Sequence, residues 1–186
     1  EGQDITAWAV RDRARAAIVA EEQISSPAGM ATRTVTLMDK FHVKPEDFII
    51  DAFGAGHAVS QEIALVTADQ GKAWRVVPIN SGEPCEDEND RLQYMNRRAE
   101  GYAKLLKWFR AGGEVMDSDR LKDELMSIRF RRTMNGRIQI MSKLEMKRLG
   151  FPSPDKADAL SYTMLVKDEV KRIVPVFSRP RVNPAR

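Results

Sequence analysis

The chain has one cysteine and two histidines in 186 residues, and both shortages narrow the chemistry. Cys85 alone rules out an internal disulfide framework and fits a reducing compartment. His42 and His57 lie far apart with no ligand spacing between them, and there is no paired C-x-x-C. A G-x-x-x-x-G-K-[ST] phosphate loop and a G-x-S-x-G nucleophile elbow are also lacking. No apolar run approaches the roughly 20 residues that a membrane-spanning helix needs, so no membrane partner is expected.

What is present reads as one well-buried domain, with 42% hydrophobic and 31% charged residues. Net charge is only +3, but its distribution is uneven. Residues 83–90, EPCEDEND, hold five acidic residues and no basic one. Residues 120–150 hold nine Lys or Arg against three Asp or Glu, and 171–186 carry five basic residues and no acidic one. Such a strip is either a phosphate-contacting surface or an ordinary solvated one.

Along the chain, TAWAV and RAAIVAEE alternate as two strands of an antiparallel hairpin. After a break at SSPAG, Val35, Met38 and Phe41 fall at helix spacing. Phe48 to Ile50 read as a buried strand ending on Asp51, followed by a glycine-rich turn. A helix from Gly56 to Gly71, a strand over KAWRVVPIN and an acidic loop follow. NRRAEGYAKLLKWFR is an amphipathic helix with Tyr102, Leu105, Leu106 and Phe109 on its apolar face. Then come a short strand at 114–116, the helix DRLKDELMSI, and a hairpin whose turn is Asn135-Gly136. Two further helices, SKLEMKRLG with Ser142 as its cap and PSPDKADALSYTMLVKDEV, close the pattern. Residues 1–170 form the expected domain, and 171–186 read as a basic, extended or disordered tail. The alternation of strands and helices predicts an α/β class with a mixed central sheet.

Two acidic constellations stand out. Asp51 ends a strand before Gly54 and Gly56, which is where α/β sheets gather ligands. It serves there as a metal or ligand contact, or merely as a cap for the next helix. Asp155 and Asp158 lie three apart at a helix start and share one face. They are helix-terminal charges favoured by the dipole, or carboxylates around a divalent cation. Lys143, and Arg98 with Glu100, are weaker candidates that read equally as surface ion-pair partners. In the hairpin, Arg129 and Arg131 face one way and Arg132 the other, where it is expected to meet an acidic neighbour.

FIIDAFGAGHAV, NRRAEGY, DELMSIRF and SKLEMKRLGFPSPDKADAL, in this order, resemble the C-terminal nuclease domain of the large terminase subunit of tailed bacteriophages. The resemblance runs over roughly residues 1–168 and implies a ribonuclease H-like fold, a mixed central sheet flanked by helices. It implies a metal-dependent endonuclease that cuts concatemeric double-stranded DNA during packaging, in the host cytoplasm and transiently docked on the procapsid. Asp51 and Asp155 match the family's acidic ligands, and Asp158 is close enough to contribute. Two Mg²⁺ or Mn²⁺ ions about 3.5–4 Å apart are implied as cofactors. Arg129, Arg131, Arg137 and Lys143 are the expected DNA contacts, and portal protein and small terminase subunit the expected partners of a full-length protein. The family's first-strand ligand is expected upstream of Glu1, with Asp4 a secondary position, and its ATPase motor would precede that. The competing readings are a DNA- or portal-docking module without activity, and another ribonuclease H-like nuclease such as a resolvase or integrase.

Overall fold

A computed structural model of the chain describes residues 5–52, 54–76, 78–116 and 119–166. The expected hairpin is formed by β1 (Thr6–Arg11) and β2 (Arg15–Glu22), antiparallel, with a register irregularity between Trp8 and Ala9. Asp12 makes its turn: the carboxylate accepts the amides of Ala14 and Arg15 at 2.8 and 2.7 Å. A short parallel strand, β5 (Glu114–Val115), adds to the other edge of β2. The main core packs on this sheet. It comprises Ala16, Leu121 and Met164, with Tyr102 and Leu105 from α4 (Arg97–Arg110) and Ala157 and Leu160 from α7 (Asp155–Tyr162). A second core lies between α1 (Pro27–Phe41) and α2 (Gly56–Ala68), where Val35, Met38, Val59 and Ile63 meet. The Trp8 indole donates to Thr34 of α1 at 3.0 Å and ties the hairpin to that layer. Parallel and antiparallel pairs coexist among flanking helices, which is the mixed α/β class expected. No helix among the described residues is long and apolar enough to cross a membrane.

Several boundaries differ from the sequence reading. SSPAG is a helix start: Ser26 accepts the Gly29 amide and Pro27 occupies the first helical position, so α1 begins there. The acidic stretch contains a helix, α3 (Glu88–Gln93), because Asp87 caps it and Glu88 and Asp90 complement its dipole. The strand expected over 48–50 is β3 (Ile50–Asp51), half-buried and paired in parallel with β4 (Pro78–Ile79). Phe48 instead ends a short 3-10 turn at Pro45–Asp47. KAWRVVPIN is mostly irregular, since the amides of Lys72, Ala73 and Trp74 all turn back onto Thr67 at the end of α2. α5 (Asp119–Ser127), the hairpin β6 (Phe130–Arg132) and β7 (Ile138–Ile140), and α6 (Lys143–Arg148) appear as expected. Ser142 and Glu145 form a capping box at α6. The last helix gives way to a 3-10 turn at Thr163–Leu165. Asp4, the tail 171–186 and the end of the last expected helix lie outside the described residues.

Cys85 belongs to a small third cluster with Tyr94 and Ala99 and is fully buried. Burial, then the neighbouring Glu100 carboxylate, push its thiol from 9.0 up to about 12. A raised folded-state pKa favours the protonated native form, so this contribution to stability is complete below pH 9.0 and is lost as pH rises toward 12. Native protein should leave Cys85 unreacted with a thiol reagent at pH 8, and denaturant should release one thiol. Reaction without denaturant would contradict this burial.

Candidate active site

The first carboxylate is set by backbone crowding. β3 carries Asp51 to its carboxyl end, and α2 begins five residues later against it. A Cβ at Gly56 would stand 1.8 Å from the Asp51 carbonyl oxygen, so only glycine permits this approach. Gly54, at φ +70°, makes the intervening turn. The Asp51 carboxylate then reaches other segments. Its Oδ2 accepts the Ser81 hydroxyl at 2.7 Å and the Tyr162 hydroxyl at 2.9 Å. Ser81 follows β4, so the β3–β4 pairing brings it alongside.

α7 carries the other two. It packs against α4 at close range: a Cβ on Gly101 would stand 2.9 Å from the Ser161 carbonyl oxygen. That proximity lets one face of α4 reach Asp158, which is 4% exposed. Arg98 Nε donates to Oδ1 at 2.9 Å and Nη2 to Oδ2 at 3.4 Å, while the Tyr102 hydroxyl donates to Oδ1 at 2.8 Å. Arg98 Nη1 also donates to the Met141 carbonyl. Lys143, at the start of α6, puts its ammonium 2.7 Å from Asp155 Oδ1 and 3.4 Å from Asp158 Oδ2. Ser153 donates to Asp155 as well. Tyr162 lies one turn beyond Asp158 on the same helix and donates to Asp51.

The electrostatics follow from the crowding. Burial raises the Tyr162 phenol, and Asp158 and Asp51 raise it further. Burial and then Asp158 likewise hold Tyr102 well above the usual phenol range. Both therefore remain donors to carboxylates at neutral pH. Burial opposes the charges of Arg98 and Lys143, but Asp158, with Asp155 beside Lys143, outweighs it and raises both.

Thus Asp155, Asp158, Lys143 and Arg98 share one connected cluster, and Asp51, up to 107 positions earlier in sequence, forms a second cluster with Ser81 and Tyr162 of the same helix α7. Glu100 joins neither; it pairs with Lys104 beside Cys85. His57 is exposed on the first turn of α2, in a cleft of ≈360 Å³ with Ala52, Gly54 and Asn80. Ser81, Tyr102 and Tyr162 were missed by sequence reasoning. Arg98 and Tyr102, and Asp158 and Tyr162, are each four apart on a helix, a spacing that marks shared faces. Ser81 has no local signal and is found only through the strand pairing.

The hairpin arginines divide. Arg129 stacks over Phe151, 4.8 Å from the ring centroid, and Arg131 pairs with Glu145 at 2.9 Å. Arg132 donates to the Gly136 carbonyl of its own turn, so Arg131, not Arg132, meets the acidic neighbour. The capping glutamate of α6 lies on the Arg131 side, which explains the reversal. Arg137 lines a separate cleft of ≈660 Å³ with Arg91 and Arg97.

As a donor set, Asp51, Asp155, Asp158 and the Ser81 and Tyr162 hydroxyls are all oxygen, the type that Mg²⁺ and Mn²⁺ prefer. Among the described residues no three Asp, Glu, His or Cys side chains converge closely enough to hold an ion. Lys143 instead supplies positive charge between two of the carboxylates. The donors thus match such ions in type, but in this arrangement they do not converge on one point, and Lys143 lies between two of them.

Truncating Arg98 would leave Asp158 buried with only Tyr102 and Lys143. Removing one partner of a buried pair costs about 3–5 kcal/mol, and the remaining donors put Arg98→Ala near the lower end, at about 3 kcal/mol. Urea denaturation measures this, and a loss below about 1 kcal/mol, the value of an exposed pair, would show the ion pair to be energetically idle.

No protein-family model matches the chain, and no curated protein sequence matches it. Solved structures do. The nuclease domain of the large terminase subunit of bacterial virus Sf6 superposes with TM-score 0.73 at 24% identity, over 88% of this chain and 83% of that one. A lysine-to-alanine mutant of that domain with manganese gives 0.71 at 23%, over 85% and 82%. The large terminase nuclease of thermophilic phage G20c with bound magnesium gives 0.51 at 15%, over 87% and 80%. These likenesses establish that the chain has the ribonuclease H-like fold of phage terminase nuclease domains.

Proposed function

We propose that the chain is the nuclease domain of a phage large terminase subunit, a metal-dependent endonuclease that cuts double-stranded DNA during genome packaging. The observation that carries this reading is the hydrogen bond, in this fold, between Asp51 at the end of β3 and Tyr162 of α7, the helix that also bears Asp155 and Asp158. The similar Sf6 and G20c domains hold manganese and magnesium, which supports divalent ions as cofactors. Asp51, Asp155 and Asp158 would be the ligands of two Mg²⁺ or Mn²⁺ ions once Lys143 gives way and the carboxylates draw together, ions that would supply Lewis acidity and an activated water.

The protein's own contribution is positional and electrostatic. Arg98 and Tyr102 hold the Asp158 carboxylate in one orientation. Tyr162 and Ser81 do the same for Asp51, each through a hydroxyl held in its protonated form or incapable of ionising at neutral pH. Lys143, half-exposed, lies where it can answer the negative charge of a DNA phosphate as well as that of Asp155. Arg129, Arg131 and Arg137 extend the basic surface toward duplex DNA, whose recognition through phosphates is largely independent of sequence. Portal protein and the small terminase subunit are the partners, and the host cytoplasm the location, that this role entails.

Asp51→Asn should abolish Mn²⁺-dependent plasmid cleavage while leaving thermal stability unchanged or higher, because the amide oxygen still accepts from Ser81 and Tyr162 and one crowded charge is gone. Asp155→Asn should be equally inactive. Asp158→Asn should lose stability in addition, since Arg98 would then face a neutral group. Wild-type cleavage by Asp51→Asn would remove that residue from the site.

The interface has its own test. If Arg129 and Arg131 neutralise phosphates, the double alanine variant should reduce the slope of log affinity against log salt by roughly 0.9 for each phosphate no longer neutralised. Arg132→Ala, whose guanidinium is folded onto its own turn, should change it less. An unchanged slope in the double variant would mean that DNA lies elsewhere.

A further inference from the structure

Glu124 is a carboxylate on α5, outside the acidic network and only 3% exposed. Its Oε2 accepts two backbone amides of α7, those of Lys156 at 2.8 Å and Ala157 at 3.0 Å. They are the second and third amides of the helix, which an N-cap side chain ordinarily serves. α7 has no such cap of its own. Pro154 precedes it and offers no side-chain acceptor, and the Ser153 hydroxyl is turned onto Asp155. The cap is therefore supplied from a neighbouring helix, 32 residues earlier in the chain. Around it, the buried Lys156 ammonium pairs with Glu21 of β2 at 2.8 Å, and Arg120 of α5 meets the same glutamate at 3.2 Å. Burial raises the Glu124 carboxyl above the usual range, with the two amides and Lys156 opposing that rise.

We infer that Glu124 is a positioning residue, which caps α7 in trans and so fixes the turn that presents Asp155 and Asp158 toward Asp51. The two amides flank these residues directly, Lys156 following Asp155 and Ala157 preceding Asp158. Asp158 is also anchored by Arg98 and Tyr102, so Asp155 is the carboxylate whose place depends most on the cap. The functional consequence rests on the nuclease reading; the capping geometry does not.

The test uses the full chain as wild type, Glu124→Gln and Glu124→Ala. Amide hydrogen exchange is read at Lys156 and Ala157, and MnCl₂ is titrated calorimetrically. Glutamine keeps an oxygen able to accept both amides, whereas alanine does not. In Glu124→Ala, exchange at the two amides should accelerate by about tenfold or more as the turn opens locally. Its Mn²⁺ affinity should fall by about 10-fold, as for other losses of outer-shell support, and Glu124→Gln should restore most of both. Wild-type exchange and affinity in Glu124→Ala would overturn the inference, as would a glutamine variant as impaired as alanine, which would make charge the cause. Should Glu124→Ala not fold, Glu124→Asp, one methylene short, takes its place with the same expected losses. Absence of Mn²⁺ binding by wild type would defeat the nuclease reading alone, because amide exchange still decides the cap.

Discussion

The site depends on the buried pair between Arg98 and Asp158. A carboxylate at 6% side-chain exposure is costly to desolvate, and here a guanidinium and a phenol meet it directly. The pair joins α4 to α7 across the close approach at Gly101 and Ser161. It also directs the remaining geometry: once α7 is docked, Tyr162 reaches Asp51, and Lys143 reaches Asp155 and Asp158 from α6.

Charge crowding is the second constraint. Asp155 and Asp158 share one cluster and Asp51 lies across Tyr162 from it, so mutual repulsion would oppose the fold without compensation. Arg98, Lys143 and two protonated phenols provide it. The cations differ in burial: Arg98 is enclosed, whereas Lys143 is half-exposed. The enclosed cation suits a permanent structural role, and the exposed one a role in which a phosphate replaces its carboxylate partners.

How much of this was legible in the sequence varied with the range of the interaction. The hairpin, the amphipathic helix over 97–110 and the capped α6 follow from local patterning, and the structure reproduces them. Asp51 and the Asp155–Asp158 pair were visible because a strand-end glycine turn and an i, i+3 spacing are local signals. Ser81 and Glu124 were not visible as site elements, since each acts across 30 or more residues through partners that only the tertiary fold supplies. The acidic segment misled in the opposite sense: its charge suggested a loop, yet Asp87 and its neighbours make a helix start. Arg131, not Arg132, meets the acidic neighbour because the acid that decides between them, Glu145, comes from the next helix.

The central claim is that the end of β3 and the face of α7 form one divalent-cation site. Paramagnetic broadening by Mn²⁺ tests it most directly, in two-dimensional spectra of the isotopically labelled chain. At substoichiometric Mn²⁺, the account predicts that amides of Asp51, Ser81 and the segment from Asp155 to Tyr162 broaden together. Broadening confined to the acidic residues 83–90, or to one of the two elements without the other, would contradict it.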